Sequence, residues 1–139
     1  MAVHETHAES ETAALAAKIA ASARSGDIFL LEGPLGAGKS VFARAFVRAL
    51  CGKDTDVPSP TFTLVQTYET EEATLYHFDL YRLENPEEIY EIGWEDALSG
   101  GIVLVEWPQR LGPHAPRNAT RIRIETFDGE SRRITIDEK

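Results

Sequence analysis

The sequence predicts an α/β fold, a single domain built on a mixed, mostly parallel central sheet flanked by helices and carrying antiparallel hairpins. Three features point to it. Ile28-Phe29-Leu30-Leu31 and Ile102-Val103-Leu104-Val105 are short, continuously apolar runs of the kind covered on both faces in a parallel sheet. A glycine-punctuated loop leaves the first run and opens a helical pattern. Two pairs of β-rich segments are joined by short polar links at hairpin spacing.

Element by element, residues 10–24 read as a helix: Ser10 or Thr12 can cap it, Ala is abundant, and Leu15, Ile19 and Ala23 recur along one face. Gly26-Asp27 ends it before the first apolar run. A second helix over 40–50 carries Phe42, Phe46 and Leu50 on one face and stops at Gly52. Residues 53–60 are polar, hold two prolines and read as a loop. Segments 61–68 and 73–80 form the first predicted hairpin. A helix is expected over 87–98, with Pro86 near its first turn and Gly100-Gly101 ending it. The second apolar run closes on Glu106, and a Pro-rich stretch covers 107–116. Segments 120–127 and 131–136 then flank Asp128-Gly129, the strongest short hairpin signal in the chain. Without repeats or low-complexity linkers, residues 1–139 read as one domain, with 1–8 flexible and His4 and His7 in a frayed terminus.

Charge narrows the function classes. Lys and Arg total 14 against 23 Asp and Glu, a formal net charge of −9. Such a field argues against a domain that grips nucleic acid through its general charge. No run approaches the roughly 18 apolar residues of a membrane span, and the acidic start lacks a signal peptide's apolar region. Cys51 is the single cysteine, so no internal disulfide or thiolate zinc cage is expected, and a reduced, cytoplasmic setting fits. Acidic residues crowd 69–96 around a single base, Arg82, which reads either as a solvated face or as a patch for a basic partner.

Gly33-Pro34-Leu35-Gly36-Ala37-Gly38-Lys39-Ser40 matches G-x-x-x-x-G-K-[ST] in full, after a strand and opening a helix. Glycines let consecutive backbone N–H groups converge on an anionic phosphate, and the following helix adds the positive end of its dipole. Lys39 is expected to reach the β/γ oxygens, and the Ser40 hydroxyl to coordinate Mg²⁺. The reading is a P-loop NTPase-type domain that binds a nucleoside triphosphate. A guanine-specific N-K-x-D is absent, since neither Asn85 nor Asn118 precedes a lysine, so adenine is the expected base.

Such a loop needs an acidic group at the end of a neighbouring strand to hold the metal, and Glu106 ends the second apolar run. Asp79 is the second carboxylate of interest. It sits in Tyr76-His77-Phe78-Asp79-Leu80-Tyr81, where an unpaired charge is costly. Alternation places His77 and Asp79 on one face and Tyr76, Phe78 and Leu80 on the other. Asp79 reads either as the group that positions water near a γ-phosphate or as a cap or Arg82 partner. Thr61 or Thr63, on the loop between the second helix and the next strand, can reach metal and γ-phosphate as a switch residue, or can simply start a strand. His77 reads as a packed, hydrogen-bonded histidine. Trp94 and Trp107 can be core, and Trp107 beside Glu106 can equally wall the pocket or meet a partner. A substrate-phosphorylating site is poorly supplied, with only Arg110 and Arg117 in a Pro-rich loop as lid arginines.

In order and spacing, GPLGAGKS, SPTFTLVQTY, YHFDLYRL followed by ENPEE, and VEWPQRL resemble the bacterial TsaE (YjeE) family over roughly residues 9–111. The resemblance implies the ATPase subunit of the machinery that makes threonylcarbamoyladenosine on tRNA. It implies a P-loop fold with an unusual strand arrangement, weak ATPase activity alone, partnership with TsaB and TsaD, and a resetting role between catalytic cycles. Carried over by motif, Gly36, Ala37, Gly38, Lys39, Ser40 and Val41 bind the phosphates of ATP or ADP, and Ser40 and Glu106 hold Mg²⁺. Asp79 supports hydrolysis, Thr61 lies in the switch-like segment, and Glu9 and Thr12 lie in the N-terminal stretch that approaches the adenine. Ser40 stands where many members have Thr, which keeps the hydroxyl ligand. A small-molecule kinase and a nucleotide-gated binding module remain as alternatives.

Overall fold

The computed structural model describes residues 1–138. Seven strands form one sheet in the order β1-β7-β6-β2-β5-β4-β3. They are β1 (Ala2–Thr6), β2 (Ile28–Glu32), β3 (Val65–Glu69), β4 (Thr74–Asp79), β5 (Ile102–Glu106), β6 (Thr120–Asp128) and β7 (Ser131–Asp137). The middle four, β6-β2-β5-β4, run parallel, and antiparallel pairs extend both edges. The mixed, mostly parallel α/β domain is therefore what the apolar runs predicted: β2 and β5 are adjacent and central, and Ile28, Phe29, Leu30 and Leu31 are all buried.

Alternation along these strands divides the core into two layers. Helices α1 (Glu9–Ala21) and α2 (Lys39–Cys51) cover one face, where Phe42 and Phe46 meet Phe29, Leu31, Leu104 and Ile122. The Phe29 and Phe46 rings pack edge to face at 5.1 Å. On the other face Trp94 packs edge to face on Phe78 at 5.2 Å, surrounded by Leu30, Val103, Val105 and Leu111. The chain leaves β2 towards α2 on one face and leaves β5 towards a 3-10 segment, Pro108–His114, on the other. Their C-terminal ends thus bound a crevice at a topological switch point, where α/β sheets place ligands.

Several local expectations are corrected. The first residues are not frayed: Ala2–Thr6 pairs antiparallel with β7 as an edge strand, Ala2 opposite Ile136. Neither Ser10 nor Thr12 caps α1, whose N-cap is Ala8 without a side-chain bond; Thr12 lies inside the helix and its hydroxyl meets Thr6 at 2.7 Å. The fully buried stripe of α1 is Thr12, Ala16 and Ala20, with Leu15 and Ile19 at its margin, because small residues let α1 lie close to α2. The strand expected from Thr61 starts only at Val65. Leu64 is left-handed (φ 71) with its N–H on the Pro60 carbonyl, and its own carbonyl accepts the last bond from β4, the Asp79 N–H at 3.0 Å, so the chain before it turns away from the sheet. The helix expected over 87–98 is two pieces, a 3-10 helix Pro86–Ile92 and α3 (Trp94–Leu98), broken where Gly93 adopts φ 95. Asn85 and Glu88 form a capping box at its start. Among the described residues no helix is long and apolar enough to cross a membrane.

Trp94 is the largest fully buried side chain. Trp94→Ala should lower unfolding free energy by about 3–5 kcal/mol, read as a shift of the urea midpoint at unchanged slope.

Candidate functional site

β2 ends beside Gly33, and the loop that follows passes into α2 through Gly36 (φ 81) and Gly38 (φ 101), both left-handed. Gly38 is the N-cap of α2, and no side chain caps the helix, so its first N–H groups are left for a ligand. A Cβ at Gly36 would meet nothing within 4 Å, whereas one at Gly33 would stand 2.7 Å from the Ile124 carbonyl oxygen. The loop is thus seated on β6 at one end and open at its crown.

Lys39 opens α2 and is 6% exposed. Its ammonium donates to the Gly33 carbonyl and lies 3.5 Å from the centroid of the Trp107 ring. Trp107 itself is left-handed (φ 59), a conformation that costs a β-carbon residue about 1–2 kcal/mol, and its ring rests on Tyr81 at 4.9 Å. Burial lowers the Lys39 pKa from its ordinary 10.5, and Glu106 and Asp79 act against that shift.

The two carboxylates come from neighbouring strand ends. Asp79 and Glu106 are register partners in β4 and β5, and they are 5% and 8% exposed. Asp79 Oδ2 accepts from the Thr61 hydroxyl at 3.0 Å and Oδ1 from the Tyr81 N–H at 3.1 Å. It is therefore both a turn cap and the anchor of the segment before β3. Arg82 is not its partner: the guanidinium lies 4.4 Å from the Phe62 ring centroid. Glu106 Oε2 accepts from His77 Nε2 at 2.7 Å. A cavity of about 70 Å³ is lined by Ser40, Arg44, Ser59, His77 and Glu106.

This cavity is where a hard cation would fit. Ser40 and Glu106 both line it, and among the described residues no group of three His, Cys, Asp or Glu could hold a metal alone. Mg²⁺ suits such a site, since it takes one or two protein oxygens and completes its shell with phosphate and water. Across the loop, Glu9, Thr12, Gly38 and Val41 line a small pocket together with Glu130 and Arg132. Within the loop itself, Ala37 is fully buried.

A family model described as threonylcarbamoyl adenosine biosynthesis protein TsaE matches residues 6–134. The chain belongs to the TsaE family. It is 44% identical to a tRNA threonylcarbamoyladenosine biosynthesis protein TsaE of Rickettsia felis, over 92% of this chain and 75% of that one. The Bacillus subtilis protein of the same description is 39% identical over 91% of this chain and 78% of its own. A crystal structure of Bacillus subtilis YdiB superposes with a TM-score of 0.79 at 31% identity, covering 99% of this chain and 84% of that one.

Among the site residues of this TsaE-family chain, sequence reasoning missed Arg132. Its Nε donates to the Ala37 carbonyl at 2.8 Å and its guanidinium also binds the Gly129 and Ser131 carbonyls, so β7 braces the glycine loop from below. No local pattern marks it; only the β6–β7 hairpin brings it back to a loop 95 residues away. Thr63 bonds Gln66 rather than Asp79, so of the two candidate threonines Thr61 is the one at the carboxylate.

Because the Lys39 pKa is lowered, the folded chain sheds this proton at lower pH than the unfolded chain. Stability contributed by Lys39 therefore rises with pH across the window that ends near 10.5. The parent chain should gain stability relative to Lys39→Met between neutral pH and that limit, measured as paired urea midpoints; the opposite trend would mean a raised pKa.

Proposed function

We propose that this chain is a Mg²⁺-dependent P-loop ATPase that serves threonylcarbamoyladenosine modification of tRNA as a regulatory, resetting subunit. The observation that carries the reading is the meeting of an uncapped, glycine-rich helix start with Lys39, Ser40, Asp79 and Glu106 at one edge of the sheet in a chain of this family. Backbone N–H groups of residues 36–41 hold the phosphates, and Lys39 leaves the Gly33 carbonyl and Trp107 ring to meet the β/γ oxygens. Mg²⁺, held by Ser40 and Glu106, would neutralise charge on the same oxygens. Glu9, Thr12 and Val41 lie towards the adenine, with Arg132 securing the loop between.

For hydrolysis, Asp79 orients a water in line with the γ-phosphorus and takes its proton as the bond to the bridging oxygen breaks and ADP leaves. Thr61, bonded to Asp79, ties the loop before β3 to that carboxylate. Arg82 stacks on Phe62, Arg132 is committed to carbonyls, and Arg44 lines the Ser40–Glu106 cavity without an ion pair to either carboxylate among the described residues. An arginine supplied from outside can be worth 10³–10⁵ in rate, so this site should be slow alone and faster in complex. TsaB and TsaD are the partners that the family resemblance implies. With a net charge of −9, contact with tRNA would be indirect.

Lys39→Ala should abolish ATP binding in calorimetry with Mg²⁺ present. Asp79→Ala should bind ATP within a few-fold of the parent and lose hydrolysis by roughly 10²–10⁴, followed by phosphate release. Transfer of phosphate to an added acceptor instead of water would favour a small-molecule kinase. If Asp79→Ala restores tRNA modification in cells as fully as the parent, hydrolysis is incidental and the chain is a nucleotide-gated binding module.

A further inference from the structure

His77 is a buried polar residue that the proposed chemistry does not use. It lies on β4, 2% exposed, two residues before Asp79 and on the same face. In register it stands opposite Leu104 of β5, with Leu75 buried two residues earlier. A leucine or phenylalanine would fill such a position without desolvating a ring nitrogen. The cost of the histidine is visible: Nδ1 is buried and has no hydrogen-bond partner. Native interiors rarely leave such a nitrogen unpaired, and each instance calls for a reason. The whole polar attachment of the ring is its other nitrogen, Nε2, on Glu106 Oε2 at 2.7 Å.

Glu106 is equally dependent on that bond. Among the described residues His77 is its only ion-pairing or hydrogen-bonding side-chain partner, although Lys39 feels its charge. A glutamate has three rotatable bonds, and one positioned at a strand end without a tether would sample several rotamers. With Oε2 taken by the imidazole, the carboxylate is fixed in the cavity that Ser40 shares, and Oε1 is the oxygen left for a cation. We propose that His77 is a positioning residue, whose Nε2–H holds the Glu106 carboxylate in the orientation that binds a divalent cation together with Ser40. This rests on the reading of Ser40 and Glu106 as the Mg²⁺ ligands. Outer partners of this kind commonly contribute 10–100-fold to metal affinity.

The test is the magnesium dependence of nucleotide affinity, read with a non-hydrolysable ATP analogue in Mg²⁺ and in EDTA. The ratio of the two dissociation constants isolates the metal's contribution and does not require turnover. His77→Leu should leave the affinity in EDTA within about two-fold of the parent and reduce the ratio about 10–100-fold. His77→Gln, whose amide nitrogen falls near the position of Nε2, should restore most of it, whereas His77→Asn, whose amide stops near Nδ1, should not. In a Glu106→Ala background, His77→Leu should add nothing. Should His77→Leu fold too poorly to assay, the Gln and Asn pair decides alone. A His77→Leu ratio equal to the parent's, or Gln and Asn variants that behave alike, would overturn the positioning role while leaving the metal site standing. Loss of affinity in EDTA as well would mean that His77 only supports the fold. A parent chain whose affinity ignores Mg²⁺ would overturn the metal-site reading and this proposal with it.

Discussion

Lys39, Asp79 and Glu106 are taken out of water together, one cation against two carboxylates, at the C-terminal edge of the parallel strands. None of the three forms a direct ion pair with another. Each is instead held by neutral or singly placed partners: a carbonyl and an indole for Lys39, a hydroxyl and an N–H for Asp79, an imidazole for Glu106. Lys39 nevertheless feels both carboxylates, whose charges offset part of the effect of its burial. One positive and two negative groups thus share one sheet edge, and the fold bears the desolvation of all three.

Register produces this convergence. Asp79 faces Glu106, and Glu106 faces Leu31, because β4, β5 and β2 are parallel and in step. A slip of one residue would turn Asp79 and Glu106 to the face that carries Phe78, Val105 and Trp94, burying carboxylates in an apolar layer. The two cores therefore guard the site: Leu75, Leu104 and Leu31 on one face and Phe78 and Val105 on the other permit a single alignment. Glycine at 33 serves the same end, letting the loop approach β6 so closely that a side chain would strike the Ile124 carbonyl.

Around the rim the chain trades regularity for reach. Leu64 and Trp107 are the two non-glycine residues with positive φ among those described, and they lie directly beside the carboxylate-bearing strand ends. Trp107 turns back over Lys39 as soon as β5 releases Glu106, and Leu64 closes the turn that presents Thr61 to Asp79. Both strained positions thus gather at the sheet edge that carries Lys39, Asp79 and Glu106.

Much of this was legible beforehand. The glycine loop, the apolar runs, the acidic strand ends and the Asp128-Gly129 hairpin are local signals, each written in a few consecutive residues whose conformation depends on their own sterics and periodicity. What local pattern could not carry were choices made by contact between distant segments: that Ala2–Thr6 would find β7, and that Thr61 would bond Asp79 rather than extend β3. The brace of Arg132 beneath Ala37 and the seat of Lys39 on Trp107 belong to the same class. Sequence by itself determined the chemistry available at each strand end, because residue type and spacing suffice for that. Tertiary structure alone decided which of those groups touch, because contacts between distant segments are set by strand register and by the packing of two opposed cores.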